Sequence, residues 1–176
     1  MATINVFSKT VVKFALADKI EDIKRKIGRK EFMLKIGEEM KRLILGDTRR
    51  GIGVDGTKPI RLAKLKPSYV DWKKKNQNKA FSPGRFFRTD NRSNLTLTGQ
   101  LLDSLTVDAR QNFVRVYVRD IPRKGYGADV TNNAIAEWQA NAGRPFMGLH
   151  NRNRAILDKE IERETRAIVR RELARK

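Results

Sequence analysis

Two short runs in which every second residue is apolar constrain the fold most. Leu105, Val107 and Ala109 alternate along one run, and Val114, Val116 and Val118 along the other, with Gln111-Asn112 between them. A period of two broken by a polar dipeptide predicts an antiparallel β-hairpin with one apolar face. The opposite face of the second strand carries Phe113, Arg115, Tyr117 and Arg119.

Helical patterns flank this hairpin in the chain. Asp18 opens one, with Glu21 at capping-box spacing, and Ile20, Ile23 and Ile27 share a face. Phe32, Ile36, Met40 and Leu43 form a second face. At about 100° per residue the two faces are roughly opposite. A straight helix with one buried side cannot serve both. Either the helix breaks near Gly28, the simpler reading, or it is buried on two sides, as between its own sheet and a neighbouring subunit. Gly46-Asp47 is expected to end it. A last helix is expected from about Asn153 to Leu173, with Leu157, Ile161, Ile168 and Val169 inward and Glu162–Arg166 as a favourable i,i+4 pair. Its moderate charge gives the plain reading of a solvated amphipathic helix. Shorter helices are expected at 98–102 and 134–140. The pattern predicts an α+β fold: a small antiparallel sheet packed with N-terminal and C-terminal helices, plus a long basic loop. The length suits one domain, 1–176, with an N-terminal arm over residues 1–17, whose β-formers could pair with a neighbour.

Between the two C-terminal helices lies Gly143-Arg144-Pro145-Phe146-Met147-Gly148-Leu149. Gly143 is suited to a helix C-cap with positive φ, Pro145 starts an extended segment, and Gly148 allows a tight turn. The segment around Phe146 is expected to be a short strand beside the hairpin, with Asn151 or Asn153 capping the next helix.

Residues 47–97 show little periodicity and many breakers, and are expected to form the long basic loop. They hold thirteen basic side chains against four acidic ones. That is about half of the net charge of +19 in under a third of the chain. Loops of this length are functional or disordered. Lys58, Arg61, Lys64, Lys66, Lys73, Lys74, Lys75, Arg85 and Arg88, interleaved with Tyr69, Trp72 and Phe86, are the candidate partner-binding residues. Basic groups among aromatics suit stacking on a single-stranded nucleic acid; they equally suit an acidic protein surface. The overall charge points to an anionic partner.

No catalytic constellation is legible. Gly51-Ile52-Gly53-Val54-Asp55-Gly56 matches a dinucleotide glycine fingerprint letter for letter, but a helix end precedes it and Pro59 follows. His150 is the single histidine and there is no cysteine, so no His-rich or Cys–His metal site is expected; as a lone residue beside a helix start it reads as a polar turn residue. No nucleophile stands beside a base. The chain is expected to be no enzyme, to need no cofactor or metal, and to span no membrane.

The order of motifs carries more than any one of them. Leu65-Lys66-Pro67-Ser68-Tyr69 is followed by lysines. Then come Leu97-Thr98-Gly99-Gln100-Leu101-Leu102-Asp103-Ser104-Leu105, the hairpin, Ala136-Glu137-Trp138-Gln139-Ala140-Asn141-Ala142-Gly143, and Arg144-Pro145-Phe146-Met147-Gly148-Leu149 before the last helix. Over roughly residues 20–170 this order resembles the virion-morphogenesis, or tail-completion, family of tailed bacteriophages. Trp138 stands where that family often has an aromatic and a histidine, and the basic stretch at 73–92 is longer than in the family. The resemblance implies a non-enzymatic structural protein of the virion neck, made in the host cytoplasm. It would form a homo-oligomeric ring, commonly hexameric, between the adjoining connector or head-closure proteins and the tail, with genomic DNA passing through the channel. A tail terminator capping the tail tube is the nearest alternative, and a nucleic-acid-binding packaging protein is the rival from another class.

Overall fold

The computed structural model describes residues 17–75, 100–122 and 130–174. The N-terminal arm up to residue 16 and the basic residues beyond Lys75, including Arg85, Phe86 and Arg88, lie outside the described residues, as does the side chain of Lys73. The chain is α+β, with helices α1 (Ala17–Ile27), α2 (Lys30–Arg49), α3 (Pro67–Lys75), α4 (Gln100–Asp103), α5 (Asn132–Asn141) and α6 (Asn151–Ala174). Strands β1 (Ile52–Asp55) and β2 (Lys58–Arg61) form one two-stranded sheet, and β3 (Leu105–Arg110) and β4 (Phe113–Val118) form another. Two compact units result: one from residues up to Met40, Val107–Val116 and the chain from Arg152 on, the other from Lys41–Thr106 and Tyr117–Asn151.

In the first unit the break at Gly28 is present, and the hairpin turn fixes it. Asn112, at φ 58°, donates its N–H to the Gly28 carbonyl at 3.0 Å. Positive φ is tolerated by Asn because its short side chain bonds locally. After the break the expected face is buried: Phe32, Ile36 and Met40, joined by Met33. On the hairpin Ala109 and Val114 are buried, while Val107 and Val116 are only partly covered. The helix lies close to the hairpin because Gly37 has no side chain: a Cβ there would stand 2.3 Å from Val107 Cγ1 and 2.6 Å from Val114 Cγ2. Two ion pairs tie α6 to the helices before it. Lys26 meets the buried carboxylate of Glu172, and Lys35 Nζ donates to Glu164 Oε2 at 3.0 Å.

In the second unit α2 continues past the expected stop to Arg49, burying Leu43 and Ile44. The glycine-rich stretch after it is a hairpin rather than a loop, with β1 antiparallel to β2 in the register Ile52↔Arg61, Gly53↔Ile60, Val54↔Pro59 and Asp55↔Lys58. The stretch expected to be a long loop over 47–97 is therefore, up to Lys75, a helix end, a hairpin and a helix. Alternation could not reveal it, because β2 offers only Ile60 as a partly buried apolar side chain.

Two outcomes follow from the first unit. Helix propensity alone would make Gly37→Ala stabilising by about 1 kcal/mol. Its methyl meets two stiff valine branches, so the variant should instead lose about 1–3 kcal/mol, read by denaturant unfolding. The second concerns Glu164. Its hydrogen bond to Lys35 holds the carboxyl below the usual carboxylate range, with Arg163 adding to the effect. A lowered carboxylate pKa gives stability that is complete above the unfolded value and lost as pH falls through the folded one. Lys35→Met should thus cost up to about 1 kcal/mol at neutral pH, as an exposed pair does, and nothing once Glu164 is protonated in both proteins.

Candidate partner-binding surface

The surface is built from β2, the turn 62–66 and α3, all in the second unit. Its position depends on a distant segment. At the end of α5, Gly143 takes φ 73°, its N–H bonds the Ala140 carbonyl at 3.1 Å, and the Arg144 N–H bonds the Gln139 carbonyl at 2.9 Å. This is the glycine C-cap read from the sequence, in its Schellman form. The chain leaving the cap runs against the hairpin. Val54 donates to the Pro145 carbonyl at 2.9 Å, and Asn151 donates to the Thr57 carbonyl at 2.9 Å. Phe146 and Leu149 are buried. The Phe146 segment, expected as a strand, is thus not one, and the residue before it pairs with β1. Proline at 145 gives no donor, so only carbonyls and flanking N–H groups are available for pairing.

The same segment holds the start of the surface. Ala63 donates to the Gly143 carbonyl at 3.1 Å. The Arg144 guanidinium donates from Nε to the Ala63 carbonyl at 3.1 Å and from Nη2 to the Lys64 carbonyl at 3.2 Å, while Nη1 reaches Gln139 Oε1 at 3.3 Å. One planar fork thus orients two successive peptide units and the helix end beside them. Buried Leu62 and Val70 anchor either side of the turn. The Lys66 carbonyl accepts from the Tyr69 and Val70 N–H groups, opening α3 at Pro67, where proline is well suited to a first helical turn.

This frame exposes the predicted side chains. Lys58, Arg61, Lys64, Lys66, Lys74 and Lys75 are all exposed. Tyr69 and Trp72 stack on each other with ring centroids 5.6 Å apart and planes 14° apart, yet remain 40% and 47% exposed. Amphipathic rings stacked on a surface whose elements also expose basic side chains offer a rigid apolar centre. That composition fits a partner interface, where aromatic anchors supply most of the binding energy.

The residues that pair most tightly in this unit are elsewhere, and the sequence did not mark them. His150 is buried, not a solvated turn residue: its Nε2 lies 2.9 Å from Asp47 Oδ2, and Arg50 meets the other carboxylate oxygen. The two are 103 positions apart, so no local pattern could link them. The pair fastens the end of α2 to the segment before α6. Among the described residues no group of three or more His, Asp or Glu could hold a metal ion, and no helix is long and apolar enough to cross a membrane.

Comparison with protein-family models, with curated proteins and with solved structures finds no match.

The exposed stack separates a binding role from a structural one. Tyr69→Ala and Trp72→Ala should each lose the ring–ring contact and so cost about 0.5–1.5 kcal/mol of folding stability. Either should weaken the partner complex by about 2 kcal/mol or more, the loss expected of an aromatic anchor. Thermal unfolding and calorimetric titration with the partner measure the two.

Proposed function

We propose that the chain is a structural subunit of a tailed-phage neck, one that completes the tail and joins it to the DNA-filled head as part of an oligomeric ring. The observation that carries this reading is the order of motifs from Leu65 to Leu149. Two features of the fold support it. The motif around Arg144 and Pro145 is the piece that positions α3, so it has a structural task that needs no chemistry. The surface so positioned carries an exposed aromatic stack and exposed basic side chains on β2, the turn and α3, which suits docking to an acidic face of an adjoining ring. Lys58, Arg61, Lys64, Lys66, Tyr69, Trp72, Lys74 and Lys75 are the proposed docking residues, with Lys73, Arg85, Phe86 and Arg88 assigned by sequence alone.

The net charge of +19 favours a second reading, a nucleic-acid-binding packaging protein. A ring that assembles at low salt without nucleic acid supports the neck, and a monomer that binds only nucleic acid supports the rival. The decisive test is genetic. Virus lacking the chain should accumulate DNA-filled heads and separate tails that do not join, seen by electron microscopy; normal tailed particles would overturn the proposal.

A further inference from the structure

The α3 surface leaves a second charged feature unused. At about 100° per residue, Arg152, Lys159, Arg163, Arg166 and Arg170 of α6 fall within an arc of about 60°. All five are exposed, and they lie opposite buried Leu157, so they form the solvent crest of the helix. At 1.5 Å per residue the line is about 27 Å long. Glu160 and Glu162 steady Arg163 and Arg166 by ion pairs and lower the field there. Arg152, Lys159 and Arg170 have no ion pair among the described residues. A helix whose polar face served solubility alone would mix both signs along its crest; here every acidic residue stands off it.

We propose that this crest binds the phosphate backbone of double-stranded nucleic acid, without regard to base sequence. Four of the five cations are arginines, whose planar forks match phosphate oxygens two at a time. The helix carries no aromatic ring, so it offers no platform for the unpaired bases of a single strand. An acidic protein partner would need an apolar centre inside the charged rim. The exposed apolar residues of α6, Ile156 and Leu173, sit at the margins of the crest, about 25 Å apart along the helix. A duplex presents a charge about every 1.7 Å of its axis, so a straight cationic rod meets several phosphates without bending either partner. The place of this contact, DNA crossing a ring, rests on the neck reading; the contact itself does not.

The test uses the purified full chain and a fluorescent mixed-sequence duplex of about 20 base pairs, titrated by anisotropy between about 50 and 200 mM salt. Replacing Arg152, Lys159 and Arg170 together by Gln should reduce the magnitude of the log–log salt slope by about 2 to 3, since each phosphate contact contributes about 0.9. Restoring positive charge with Arg152→Lys and Arg170→Lys, Lys159 kept, should return the slope to within about one contact of the parent. The same count of changes on α3, Lys64→Gln, Lys66→Gln and Lys74→Gln, should alter it by less than about one unit. The assignment is overturned if the α6 triple variant keeps the parent slope, if the lysine variant fails to recover it, or if the α3 variant shows the larger loss. It is overturned too if the α6 triple variant loses only its binding to an acidic polypeptide such as polyglutamate, which would give the crest to a protein. Normally tailed particles from the null virus would remove the neck reading and leave these slopes unchanged.

Discussion

One backbone hydrogen bond, from the Val54 N–H to the Pro145 carbonyl, organises the second unit. It requires the two main chains to touch. A Cβ on Gly53 would stand 2.2 Å from the Pro145 oxygen and 2.5 Å from the Leu62 methyl, and one on Gly148 would stand 2.6 Å from Val54 Cγ1. Glycine at both places lets the segment after α5 lie against β1, and the Arg144 fork then fixes the turn from which α3 starts. Without that contact a two-stranded ribbon of four residues a side would have little to hold it, because such ribbons are marginal alone in water. The aromatic stack on α3 inherits its orientation from a segment some eighty positions away.

How much of this could be read in advance depended on where each signal was stored. The β3–β4 hairpin, the break at Gly28, the buried face of α2 and the glycine cap at Gly143 all rest on local periodicity or on a residue with special backbone freedom, and all were legible. The β1–β2 hairpin was not. Its strands carry glycine, proline and charge where alternation would need apolar side chains, and its hydrogen bonds are completed from residues 143–151. The stretch therefore read as loop. The basic and aromatic residues of the candidate surface were legible as a charge and composition pattern, but nothing local showed that Tyr69 and Trp72 would stack, or that Arg144 would hold the turn before them. The Asp47–His150 contact is the extreme case, a buried pair with no sequence signature.

The two charged surfaces differ in kind. On α3 a pair of exposed aromatic side chains stacks on a helix that also carries lysines, and an apolar centre is what gives an interface its energy. On α6, cations stand in a line with nothing apolar between them, and such a line gives reach and salt sensitivity rather than shape selection. On the proposals made above, the net charge divides into a patch for a protein partner and a rail for a duplex.

The register of the first hairpin has a consequence for its two edges. Val54 spends its N–H on Pro145, so the Val54–Pro59 pair is one whose backbone groups point away from each other. The Pro59 nitrogen thus faces away from β1, where it has no hydrogen to give, and among the described residues no strand pairs with β2 there. One edge of the ribbon is occupied by the chain's own later segment, and the other is interrupted by an imino acid between Lys58 and Arg61. Neither edge can grow by adding a strand. Crowded together, neighbouring copies cannot zip through this hairpin, and contacts across it are left to side chains, which can be undone and remade where a continuous ladder could not.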